Sequence, residues 1–150
     1  MAMQRRLLCI LLVGGLLIGC SRSQEQPPGT GAKECGQAYY EALIQQDWPK
    51  AYALLDPQSQ KRCSSSRFSR FAQSYRGGLG FEPEAVHVRA CDEHGAEATA
   101  HIVLIGRTGA KGHRYKDAVT LHRGDEGWRV VLPSNFAQGK KRSRNVLPGS

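Results

Sequence analysis

The chain has 150 residues, of which 40% are hydrophobic and 23% charged, and it carries a net charge of +8. That length holds one domain and that composition is globular, so neither a multidomain chain nor a largely disordered one is expected. The basic balance admits anionic lipid, nucleic acid or acidic polymers as partners and does not choose among them.

The N-terminus reads as a targeting segment. Arg5 and Arg6 precede an apolar run over residues 7–18 that is broken only by Gly14 and Gly15. Twelve residues of helix rise about 18 Å, short of a hydrocarbon core of about 30 Å. These are the proportions of a secretory leader rather than of a membrane span. The run ends in Leu17-Ile18-Gly19-Cys20. This tetrapeptide resembles the lipobox of bacterial lipoproteins. The resemblance implies transfer of a diacylglyceryl group to the Cys20 sulfur, with Leu17, Ile18 and Gly19 as the peptidase recognition residues and cleavage after Gly19. The expected product is a chain held in the membrane by lipid, exported to the cell envelope. Ser21 in place of an acidic residue leans toward the outer membrane in a Gram-negative cell. An envelope address leaves nucleic acid as the least expected partner.

Four segments follow: a signal peptide over 1–19, a lipidated cysteine and flexible linker over 20–33, a domain over 34–133 and a basic tail over 134–150. The linker is polar, with Pro27-Pro28-Gly29 at its centre, and reads as a solvated tether. In the domain, Cys35, Tyr39, Ala42, Leu43 and Gln46 keep helical spacing. Asp47 is a plausible N-cap for a second helix, with Pro49 in its first turn, and Asp56-Pro57 ends it. Ser64-Ser65-Ser66 precedes a third helix with Phe68, Phe71, Ala72 and Tyr75 on one stripe, stopped at Gly77-Gly78. The period then changes to two. Val86, Val88 and Ala90 alternate with polar neighbours, and a longer strand is expected over about 97–107. Residues 106–112 read as a turn region. A third strand near 115–123 places Tyr115, Val119 and Leu121 on one face. A turn at 124–127 leads into a last strand over 128–132. Lys140, Lys141, Arg142 and Arg144 mark the tail as polar and basic.

Three helices followed by an antiparallel meander of about four strands is an α+β order. It resembles the nuclear transport factor 2-like superfamily, a cone of helices packed on a curved sheet. The likeness rests on Ala38-Tyr39-Tyr40-Glu41-Ala42-Leu43 with Asp47-Trp48-Pro49-Lys50-Ala51-Tyr52, on Phe68 and Phe71, and on Ala118-Val119-Thr120-Leu121 with Gly127-Trp128-Arg129-Val130. It implies an open pocket between helices and sheet, for which Tyr39, Trp48, Phe71, Tyr115 and Trp128 are the expected lining. It also implies dimerisation through the outer face of the sheet.

Chemistry-bearing groups are few. Cys9 lies in the leader and Cys20 is the lipidation site, which leaves Cys35, Cys63 and Cys91. Three disulfide pairings are open in an oxidising envelope. Cys63–Cys91 is preferred, because Cys35 lies on an apolar helical stripe. His87, His101 and His122 fall on strands and share a face if the register allows, but no close histidine pair suggests zinc. No metal, cofactor or catalytic residue is expected. An isomerase of this fold needs a carboxylate or a tyrosine pair inside the cone, and the strand carboxylates Glu97 and Asp117 read as lying near strand ends. The expected function is therefore a membrane-anchored envelope lipoprotein with a non-catalytic domain that binds a protein or small ligand. The alternatives are a small pocket enzyme of isomerase or hydrolase type, and a structural envelope protein.

Overall fold

A computed structural model describes residues 29–134. The leader, Leu17, Ile18, Gly19, Cys20, most of the linker and the basic tail lie outside the described residues.

Four helices precede four strands among the described residues: α1 (Ala32–Ile44), α2 (Trp48–Ala53), α3 (Pro57–Arg62), α4 (Ser65–Gly77), β1 (Glu82–His94), β2 (Glu97–Thr108), β3 (Lys111–Gly124) and β4 (Gly127–Val131). One more helix is present than the sequence pattern predicts. Asp56 does end the second helix, but it also caps a new one. Its side chain accepts the Ser59 amide proton, and Pro57 occupies the first turn, where a missing N–H costs nothing. Asp47 and Ser64 cap α2 and α4 in the same way, through the amides of Lys50 and Arg67. The domain also begins slightly earlier than expected, with α1 starting at Ala32 after Gly31 in the left-handed region.

The strands form one antiparallel sheet in the order β1-β2-β3-β4. They run further than the alternation predicts, so the expected turn region 106–112 shrinks to the residues around Gly109 and Ala110. Register shifts between Pro83 and Ala85 and between Val88 and Ala90 bend β1 and curve the sheet. The β4 edge is closed by the α2–α3 connection. There the Asp56 amide donates to the Val130 carbonyl and the Val130 amide to the Leu54 carbonyl, both at 2.8 Å.

The register sorts the two faces. Ala98, Ala100, Ile102 and Leu104 of β2 face the helices, with Val86, Val119, Leu121 and Val130 from the neighbouring strands. Helix α1 lies close on this face: a Cβ on Gly36 would stand 3.0 Å from the Ala100 Cβ. Phe68 of α4 is fully buried against Tyr39 and Tyr52, and Leu55 is buried where it bridges to Val130 of β4. The core is thus a helix layer on one sheet face, the arrangement the sequence predicts. The other sheet face carries no element of the described chain.

Candidate functional site

Two places combine exposed or polar chemistry with a defined geometry: a polar centre on the inner face of the sheet and a groove on the outer face.

The polar centre joins three elements. Tyr40 comes from α1, Tyr75 from α4 and Asp117 from β3. Both hydroxyls donate to the same carboxylate oxygen, Asp117 Oδ2, each at 2.7 Å. Asp117 Oδ1 accepts the Ala118 amide at 2.9 Å. Tyr40 packs edge-on to Tyr39 and Tyr75, with centroids at 5.5 and 6.5 Å. Burial pushes the Tyr40 hydroxyl well above the ordinary tyrosine value, and the negative charges available to Tyr75 and Asp117 add to it. The sequence pattern predicts Asp117 near a strand end. It sits mid-strand instead, opposite Ile102 and turned inward. The signal was present: Asp117 lies at the period-two position between Tyr115 and Val119.

The raised Tyr40 value carries a pH dependence. The fold favours the protonated hydroxyl, so this contribution is complete below the unfolded value of about 10 and is lost as pH rises above it. Urea titrations between pH 9 and 11.5 should show wild-type stability falling more steeply than that of Tyr40→Phe, by up to about 1.4 kcal/mol per pH unit. Parallel curves would remove Tyr40 as the source.

The residues expected to line a pocket are distributed through the core. Tyr39 is buried between Tyr40 and Phe68. Trp48 and Tyr115 pack partly buried against the core, and Phe71 lies beneath the Arg67 guanidinium at 5.5 Å. Trp128 is buried at the opposite end of the sheet, where its Nε1 donates to Thr30 Oγ1 at 2.7 Å and the Thr30 hydroxyl donates to Glu93 at 2.6 Å. The three last residues fix the point where the linker meets the domain. His113 stacks on Phe81 at 5.4 Å, and its Nε2 is buried with no hydrogen-bond partner among the described residues.

The expected Cys63–Cys91 disulfide is not formed. Cys35, Cys63 and Cys91 are all free thiols. Cys63 lies at the end of α3 beside Arg62 and Arg67, whereas Cys91 lies in β1 near Lys33 and Glu34 at the start of α1. One is held at the end of a helix and the other on an edge strand of the sheet. The Cys35 thiol donates to the Trp128 carbonyl at 3.2 Å. Desolvation raises all three thiols, which disfavours the reactive thiolate.

His87, His101 and His122 do share the outer face of the sheet by register. His101 pairs with Asp92 at 2.9 Å. No three His, Cys, Asp or Glu side chains among the described residues gather to hold a metal.

The outer-face groove has a volume of about 390 Å³ and is lined by His87, Val88, Arg89, Val103, Ile105 and Arg114. Val103 stands between His87 and Lys116, and Ile105 between Ala85 and Arg114. The floor is therefore apolar along β2 and basic on both flanks. The register shift between Val88 and Ala90 leaves Arg89 out of the ladder, free to line the groove. Arg107, further along the face, is neutralised by Glu84 at 3.2 Å. Arg89, Arg114 and Lys116 form no ion pair among the described residues. Sequence reading missed this groove, because it needs the strand register to align residues from three strands.

No protein-family model and no curated protein matches this chain. Solved structures do. A Campylobacter jejuni protein described as an NTF2-like transpeptidase superposes with a TM-score of 0.55 at 11% identity, covering 67% of this chain and 96% of its own. A SEC-C motif protein from Psychrobacter arcticus gives 0.53 at 12% identity, covering 73% of this chain and 64% of its own. A second SEC-C motif protein, from Rhodopseudomonas palustris, gives 0.51 at 12% identity, covering 65% and 73%. At these identities the likeness concerns the fold: an α+β domain with a four-stranded antiparallel curved sheet, of the kind seen in an NTF2-like neighbour.

Proposed function

We propose that this chain is a membrane-anchored envelope lipoprotein whose NTF2-like domain is non-catalytic and binds a partner through the outer face of its sheet. The observation that carries the binding reading is the contrast between the two faces. Inside, Phe68, Leu55, Ile102, Leu104, Leu121 and Val130 are essentially inaccessible. The inward carboxylate Asp117 already accepts two tyrosine hydroxyls, so it is committed to joining helices to sheet. Outside, the groove is open, with an apolar floor and cations that form no ion pair among the described residues. The lipobox resemblance at Leu17-Ile18-Gly19-Cys20 supports the anchor, since two or more acyl chains hold a protein stably in a bilayer. No helix among the described residues is long and apolar enough to cross a membrane.

Two measurements test this reading. Cys20→Ala should abolish labelling by radiolabelled palmitate and leave an uncleaved precursor; continued labelling would sink the anchor. A photo-reactive side chain placed at Val103 should crosslink in cells, whereas the same group at exposed Gln73 on the helix layer should not. Equal products from both positions would remove the outer face as the binding surface.

A further inference from the structure

We infer that the outer-face groove docks an acidic amphipathic helix supplied by a partner protein; this rests on the outer face being the binding surface, as proposed above. The shape of the groove selects the occupant. Val103 and Ile105 follow one another along β2 on the outer side, roughly 7 Å apart. Successive turns of a helix present side chains at about 6 Å, so two residues of one apolar stripe match that pair. Cations stand on both sides, Arg89 on β1 and Arg114 with Lys116 on β3, and the His87 ring lies beside Arg89. The β1-to-β3 separation is two strand spacings, roughly 10 Å, about the diameter of a helix with its side chains. A helix laid along β2 with carboxylates flanking its apolar stripe would meet both cationic rows at once. A sheet face covered by a helix is also the ordinary way to complete such a layer.

Charge disfavours the nearer alternatives. A second copy related by a two-fold axis would bring Arg89, Arg114 and Lys116 against the same cations of its partner. The chain's own tail, with Lys140, Lys141, Arg142 and Arg144, is basic, and the linker before Thr30 carries one arginine and one glutamate. Neither supplies the acidic flanks.

The probe is a fluorescent peptide with leucines at i, i+3, i+4 and i+7 and glutamates on both flanks, titrated against the full chain in neutral detergent micelles. It should bind, more weakly as salt rises. The double variant Arg89→Glu/Arg114→Glu should weaken it at least tenfold, and a lysine-flanked peptide should recover binding to that variant. Ile105→Asp should weaken it comparably. Arg70→Glu, the same charge change on an exposed site of α4, should change affinity less than twofold. Absence of binding, equal loss with Arg70→Glu, or equal binding by a proline-broken peptide of the same composition would overturn the inference. So would displacement of the peptide by phosphatidylglycerol mixed into the micelles, which would assign the face to lipid. Self-association abolished by Ile105→Asp would assign it to a second copy. A peptide that fails while Val103 still crosslinks in cells removes the acidic helix and keeps the binding face. Failure of both removes the face itself.

Discussion

Gly106→Ala should lower unfolding free energy by about 3 kcal/mol, at the top of the range for forcing atoms into a packed site. The chain leaving α4 crosses over β2 at this point on its way into β1. A Cβ on Gly106 would overlap the Glu82 carbonyl oxygen and stand 2.7 Å from Phe81 Cδ2. The first obstacle is backbone, so no rotamer change relieves it. Gly106 is buried and pairs with Pro83 beside a register shift, where the strand has little room to move. Relief therefore requires the start of β1 to lift from β2, and with it the ion pair between Arg76 and Glu82. Gly112, on the neighbouring strand, meets nothing within 4 Å. Gly112→Ala should be neutral or stabilising by a few tenths of a kcal/mol, up to about 1, because it only restricts the unfolded chain. Urea midpoints of the two variants measure the contrast; a Gly106→Ala loss no larger than that of Gly112→Ala would show that the strand does not pass over this site.

Asp117→Ala should cost about 2–3 kcal/mol, and Asp117→Asn about 1 kcal/mol or less. Alanine removes the acceptor shared by Tyr40 and Tyr75, and the Tyr40 hydroxyl is in a fully buried ring environment. Asparagine keeps an oxygen at the same place and so retains a neutral version of both bonds. The ordering matters more than either value. If this centre joins α1 and α4 to the sheet, both variants should bind any outer-face partner as wild type does, since the groove lies on the opposite side of the strands. Equal destabilisation by Ala and Asn would instead assign the effect to lost charge rather than lost hydrogen bonds. Denaturant titration reads the energies, and the peptide titration reads the separation of the two faces.

The helix layer was largely legible because caps and stripes are local. Asp47 and Ser64 each act within three residues of their own position, and the Phe68 stripe repeats at 3.6. Helix α3 was missed because Asp56-Pro57 ends one helix and begins another with the same two residues. The faces of β2 and β3 were legible from alternation, including the inward set Tyr115, Val119 and Leu121, but in β1 the register shift after Val88 turns Ala90 to the outer face, opposite His101, away from Val86 and Val88. Asp117 read as lying near a strand end because the strand is expected to start near 115; β3 starts at Lys111, which puts Asp117 mid-strand, where two tyrosines far away in sequence satisfy it. The disulfide preference failed for a related reason: pairing depends on which elements lie side by side, and the thiols are held on separate ones.

By itself the amino-acid sequence determined the α+β order, the meander, the helix starts and most of the buried face, because each depends on periodicity and neighbours within one turn or one strand. It also holds the leader and Cys20 pattern that carries the proposal of an anchor. Only the tertiary structure decided which side chains meet across elements. It placed two hydroxyls on one Asp117 oxygen, kept Cys63 from Cys91, and aligned Arg89, Val103, Ile105 and Arg114 from three strands into one groove. Such contacts are set by register and helix docking, and a shift of one residue would turn every one of them to the other face.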